Sequence, residues 1–142
     1  MSTMTALAGV CVAHLATAMQ APAPRTIEKG DQSNVDSAMQ ALVRTDAEWT
    51  ALYRKHNFDR QPPKVEFARE MVIAVFMGSR PTAGYTISII SALVVKGTMI
   101  VRYTESMPKP GSMTAQIITS PYHIVGIATA PVADVKFEKV DK

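Results

Sequence analysis

Seven consecutive apolar residues, Met71-Val72-Ile73-Ala74-Val75-Phe76-Met77, run straight into Gly78-Ser79-Arg80-Pro81-Thr82-Ala83-Gly84-Tyr85, and the chain then alternates polar and apolar through Thr86-Ile87-Ser88-Ile89. A continuous apolar run of that length reads as a strand, and the alternation has the period of a second, half-buried strand. The segment between them must therefore join two strands, and its residue types narrow how it does so. Pro81 fixes its own φ and pushes Arg80 towards extended backbone, while Gly84 can take a positive φ that other residues resist. The expectation is a stiff, hairpin-like connection that presents Arg80 and Thr82 in few conformations and returns to the sheet through an aromatic, Tyr85.

The clearest helix lies upstream. Thr45 and Glu48 have the spacing of a capping box. Trp49, Leu52, Tyr53 and His56 recur at i, i+3, i+4 and i+7, which predicts a helix over 46–56 with one apolar face laid on a sheet. Trp49 is read as core, where its burial contributes on the order of a few kcal/mol. Strands are expected at 38–44, with Met39, Ala41 and Val43 on one face, and at 92–96, 99–104, 115–119, 122–127 and 135–140. Gly97 and Met107-Pro108-Lys109-Pro110-Gly111 interrupt them, residues 30–36 are polar and turn-prone, and Val65-Glu66-Phe67 alternates into the apolar run. Ser120-Pro121-Tyr122 reads as a bulge that redirects a strand, because Pro121 removes a ladder donor. One helix followed by many strands predicts an α+β fold: a single compact domain, mostly antiparallel β-sheet, with one main helix near 46–56.

The length of 142 residues and a hydrophobic content of 47% suit one globular core. The net charge of +3 comes from 15 basic and 12 acidic residues scattered along the chain. No basic stripe with interleaved aromatics points to nucleic acid, and no polybasic patch points to a membrane surface. Residues 4–18 carry no Asp, Glu, Lys or Arg, and the apolar stretch from Ala6 to Ala13 followed by Ala16-Thr17-Ala18 resembles a secretory signal with its small-residue cleavage site. It is atypical, since no Lys or Arg precedes Arg25 and His14 interrupts it; a start codon placed too far downstream would hide a basic leader end. The stretch falls short of the roughly 20 residues a bilayer needs. The expected division is a signal peptide at 1–18, a Pro/Ala spacer at 19–25 and a folded domain at 26–142. The mature chain would be exported, periplasmic or associated with the cell envelope, with no integral membrane segment. Cys11, the only cysteine, falls in the leader, so the mature chain has no disulfide, thiolate nucleophile or cysteine metal site.

Catalytic constellations are missing where they would show. His56 and His123 are the only histidines outside the leader, and no HExxH spacing occurs. His56 sits on the apolar helix face as a core-edge residue. Ser120 and His123 could meet in space, yet no nucleophile elbow accompanies them. Glu66 and Glu70 read as solvated charges, and Gly78 and Gly84 fit neither dinucleotide nor P-loop patterns. No catalytic residue, metal ligand or cofactor is assigned, and the chain is read as not an enzyme.

Several segments, taken in order, resemble the PrcB C-terminal domain family of bacterial exported or envelope-associated domains. They are Thr26-Ile27-Glu28-Lys29-Gly30, Ala47-Glu48-Trp49-Thr50-Ala51-Leu52, Val65-Glu66-Phe67 leading into Met71–Gly78, Arg80–Tyr85, and Thr119-Ser120-Pro121-Tyr122-His123-Ile124-Val125. Glu66 stands where the family commonly has Asp, and Asn34 where Gly is common. The resemblance implies an accessory role, since the family's namesake supports a surface protease, and it brings no catalytic residues. The loop alone is also similar to the Asn-Pro-Thr-Thr-Gly-Tyr loop of chagasin-type cysteine protease inhibitors, with Arg80 for Asn and Ala83 for Thr; that family is an immunoglobulin-like sandwich, whereas a helix is expected here. The functional expectation is a non-enzymatic, protein-binding accessory domain that docks a partner such as a protease through Arg80, Pro81, Thr82, Gly84 and Tyr85. The alternative is a protease inhibitor that inserts this loop into an active-site cleft, with Pro108–Gly111 as a second contact.

Overall fold

The apolar run forms a strand buried on both faces. The computed structural model of the chain describes residues 23–141; the expected leader at 1–18, most of the spacer and Cys11 lie outside the described residues. The elements are β1 (Arg25–Gly30), β2 (Met39–Val43), α1 (Asp46–His56), β3 (Glu70–Phe76), β4 (Thr86–Val95), β5 (Thr98–Ser106), β6 (Tyr122–Ala128) and β7 (Asp134–Lys139). In β3 every residue from Met71 to Phe76 is at most 2% exposed. Side chains alternate faces along a strand, so burial of all six requires cover on both sides. Val72, Ala74 and Phe76 pack with Trp49, Leu52 and Tyr53 of α1. Met71, Ile73 and Val75 pack with Ile87 and Ile89 of β4 and Met99 and Val101 of β5. The result is three layers: the helix, an antiparallel sheet in the order β1-β6-β3-β2, and a sheet in the order β4-β5-β7.

Local chemistry sets the ends of these elements. Thr45 caps α1, its Oγ1 accepting from the Glu48 amide at 3.2 Å while its hydroxyl donates to the Glu48 carboxylate at 3.1 Å. Trp49 is buried, as expected, and its indole N–H donates to the Pro63 carbonyl at 2.9 Å. The β4–β5 hairpin turns on Lys96 and Gly97, both at positive φ, as a two-residue turn matched to strand twist requires.

The coarse expectation holds, with mostly β-sheet and one short helix at 46–56. Several finer expectations do not. The segment after β3 is no hairpin: β3 and β4 lie in different sheets, so residues 77–85 cross between layers. The mostly antiparallel character does hold, the exception being β7, which pairs with β5 in parallel. The strand expected at 92–96 is the second half of β4, continuous through a bulge between Ile89 and Ser91. Residues 115–119 form no strand; Ile117 and Ile118 are 51% and 73% exposed, and the backbone joins the crossover through a bridge from Thr119 to Arg80 and a hydrogen bond from Ala83 N–H to the Ala115 carbonyl. Pro121 does not mark a bulge but precedes β6, its carbonyl accepting from Met77 N–H at 2.9 Å.

Two segments that both read as strands thus have opposite fates, which stability measurements should separate. Ile73→Ala is expected to cost about 3–4 kcal/mol in urea unfolding, whereas Ile118→Ala should stay within about 0.5 kcal/mol.

Candidate functional site

The crossover between layers is fastened along its length. Gly78 opens it at φ +84, where an ideal Cβ would lie 2.8 Å from the Ala38 amide nitrogen, so both backbone shape and space call for glycine. Ser79 N–H donates to the Asp36 carbonyl at 2.9 Å. Arg80 and Thr119 exchange backbone hydrogen bonds at 2.7 and 2.9 Å. The Thr119 hydroxyl donates to the Thr82 carbonyl at 2.9 Å, and Ala83 N–H donates to the Ala115 carbonyl at 3.0 Å. At Gly84, φ +97, a Cβ would meet Pro108 Cγ at 2.9 Å. The loop is therefore stitched to the strip 107–119, which gives it the stiffness that Pro81 and Gly84 foreshadow.

The five loop residues named from sequence are brought together, in different settings. Pro81 and Gly84 are exposed, Arg80 and Thr82 are half-buried, and Tyr85 packs against the core between the sheets. The Arg80 guanidinium carbon lies 5.8 Å from the Tyr85 ring centroid, within cation–π reach. Beside the loop, the strip exposes Met107, Met113, Ile117 and Ile118. A cleft of about 230 Å³ opens between Gly84–Ile87 and Lys29–Asp31.

Two polar assemblies support this region, one on each side of the first sheet. On the helix side, Glu28 accepts from His56 Nε2 at 2.9 Å, from the Tyr53 hydroxyl at 2.8 Å and from the Tyr122 hydroxyl at 2.7 Å, while His56 Nδ1 meets the Ser33 hydroxyl at 2.8 Å. The order carboxylate, imidazole, hydroxyl is that of a hydrolytic triad, but the surroundings are those of a structural knot. Ser33 Oγ already accepts from Val35 N–H, Ser33 N–H is taken by the Ser120 carbonyl and Asn34 N–H by the His56 carbonyl, leaving these amides uncommitted to any developing oxyanion. Burial pushes the Glu28 carboxyl up, but the hydrogen bonds from His56, Tyr122 and Tyr53 outweigh it and hold it below its ordinary value. Burial and the same carboxylate push Tyr53 up to about 12 and raise Tyr122 as well.

On the other side, His123 joins the two sheets. Its Nδ1 accepts the backbone N–H of Ile89, at the β4 bulge, at 2.9 Å, and its Nε2 meets the Thr26 hydroxyl of β1 at 2.9 Å. Both ring nitrogens are thereby used, so His123 does not serve Ser120 as a base. Burial, and secondly the charge of Lys29 opposite it on β1, push its pKa down to about 4.

Among the described residues no group of three or more His, Cys, Asp or Glu side chains could hold a metal, and no helix is long and apolar enough to cross a membrane. Residues 71–128 match the family model described as PrcB C-terminal. Over that segment, which is less than half of the chain, the protein is similar to the PrcB C-terminal family. No curated protein and no solved structure matches the chain significantly. The PrcB segment runs from β3 to β6 and includes the crossover loop, the strip 107–119 and His123; Glu28, Ser33 and His56 lie outside it.

Sequence reasoning did not single out Glu28, Ser33 or Thr26. The cause at Glu28 is a bulge in β1 between Thr26 and Glu28. Simple alternation would set these two on one face, but the extra residue turns Glu28 to the helix side and leaves Thr26 with His123. The signal that could have found Glu28 is the pairing of a carboxylate with a histidine on an apolar helix face, since a buried imidazole needs a polar partner.

Two tests follow from these assemblies. Glu28→Ala strands His56 and two tyrosine hydroxyls and should cost about 2–4 kcal/mol in urea unfolding. His123 sets a pH dependence of defined sign: between its unfolded value near 6.5 and its folded value of about 4, only the unfolded chain takes the proton. Stability should therefore fall as pH drops through that window, by about 2–3 kcal/mol for this group, and His123→Gln should flatten the slope.

Proposed function

We propose that the chain is a non-enzymatic accessory domain, exported to the cell envelope, that docks a protein partner through the crossover loop and the strip beside it. The family match supports the accessory character, because the PrcB C-terminal family is one of accessory subunits rather than known enzymes. The observation that carries the docking reading is the exposure of Met107, Met113, Ile117 and Ile118 along a loop held by backbone hydrogen bonds. Exposed apolar side chains gathered on one surface mark interaction sites. A surface already rigid loses little entropy when it binds, and Arg and Tyr are the residue types that anchor interfaces. A secreted protease is the partner class that the family's accessory role favours.

The experiment is co-purification from the native envelope with a C-terminally tagged chain, beside an Ile117→Ser/Ile118→Ser variant whose unfolding midpoint is unchanged. The expected result is a protein retained by the wild type and at least tenfold depleted, about 1.4 kcal/mol or more, with the variant. Equal recovery from both would move the interface elsewhere. Protease activity in the eluate would separate a supporting subunit from an inhibitor.

A further inference from the structure

The two sheets end in four edge strands, and three of them are guarded against pairing with a further strand. β1 carries Arg25, Glu28 and Lys29, β7 carries Asp134, Lys136, Glu138 and Lys139, and β2 is only five residues long. The fourth, β4, is ten residues long and has no charged side chain. Its first half is covered by the other sheet: Ile89 N–H donates to His123, and the Ser88 hydroxyl accepts from Lys29. Beyond the bulge between Ile89 and Ser91 the edge is open, and Ile90, Leu93, Val94 and Val95 are exposed there.

The hairpin dictates which backbone groups face outward. Lys96 and Gly97 form a two-residue turn, so Val95 and Thr98 exchange both hydrogen bonds, as do Leu93 and Ile100 two steps on. The N–H and C=O groups of Ala92 and Val94 therefore point away from β5, and no other backbone of the described residues takes them. Such a row of free groups is what an added antiparallel strand binds. Side chains alternate along the same stretch. Ala92 and Val94 lie opposite the buried Val101 and Met99 on the core face, and Leu93 lies opposite Ile100 on the outer face.

We propose that this edge pairs with the β4 edge of a second copy of the chain, antiparallel and centred on Leu93. The strand is complementary to itself in that register. Ala92 of each copy lies opposite Val94 of the other, small against large, and these two pairs exchange the outward hydrogen bonds. Leu93 meets Leu93 on the two-fold axis, Ser91 meets Val95, and Lys96 falls opposite the apolar Ile90, so no like charges face each other along the edge. Residues 86–89 of one copy fall beyond the Lys96–Gly97 turn of the other, which sets the covered halves at opposite ends of the joined edge. A pairing of six residues a side buries less than the roughly 800 Å² per partner of a standard interface, so the dimer forms on the order of tens of micromolar and is not obligate. The proposal uses no residue of the strip 107–119 and does not rest on the docking reading.

Sedimentation velocity of the purified chain between about 5 and 500 μM tests it, with a monomer giving way to a dimer as the expected result. Leu93→Lys and Leu93→Glu each set like charges against each other on the two-fold axis and should weaken the dimer about tenfold, with the unfolding midpoint of the dilute chain unchanged. An equimolar mixture of the two variants should dimerise again, because Lys then faces Glu. Hydrogen exchange supplies a second readout: the Ala92 and Val94 amides should be protected at high concentration and open at low, whereas the Leu93 amide, bonded to β5, should be protected at both. A chain that stays monomeric throughout overturns the proposal. So does a dimer that both variants leave intact, or a mixture of variants that stays monomeric.

Discussion

The complete burial of β3 on both faces is the constraint from which the rest of the architecture follows. A strand whose side chains are all apolar cannot leave either face to water, so the chain must supply one layer above it and another below. The Trp49, Leu52 and Tyr53 face of α1 supplies the first, and the Ile87, Ile89, Met99 and Val101 face of β4 and β5 supplies the second. Because β3 and β4 belong to different layers, the connection between them has to cross the edge of the domain. That crossing is where the loop from Gly78 to Tyr85 lies, and its stiffness follows from the route it must take.

Apolar burial alone would let the layers slide, since it is non-directional. The polar assemblies fix the register. Glu28 gathers His56, Tyr53 and Tyr122, tying β1, α1 and β6 on one side, and His123 links β6 to β1 and to the β4 bulge on the other. Both depend on a bulge that turns a side chain or an amide out of its regular place. Buried polar groups are tolerated only when satisfied, and at both His56 and His123 the two ring nitrogens are engaged. These histidines serve structure.

Much of the fold was legible where one period dominates. The helix at 46–56 has the predicted bounds because capping residues and a 3.6-residue apolar pattern agree there, and the apolar run at 71–77 forms a strand as read. Legibility failed where tertiary context chooses between equivalent local patterns. Ala115-Gln116-Ile117-Ile118-Thr119 has the composition of a strand, but its hydrogen bonds go to the crossover loop and its isoleucines face outward. The crossover was mistaken for a hairpin because Gly and Pro signal a turn without saying which sheet receives the next strand. Of the candidate site, Arg80 to Tyr85 was visible as a constrained loop. Its fastening to residues 115–119 could not be, since those hydrogen bonds join segments distant in sequence.

The central claim is that the crossover loop and the strip beside it form one rigid surface, presenting exposed apolar side chains without local flexibility. Native-state hydrogen exchange read by NMR tests this most directly, through the amides of Arg80, Ala83 and Thr119. Protection approaching that of the β3 amides, with exchange governed by the same large opening, is the predicted result. Exchange at near-peptide rates while β3 stays protected would show that the loop opens by itself, and would contradict the account.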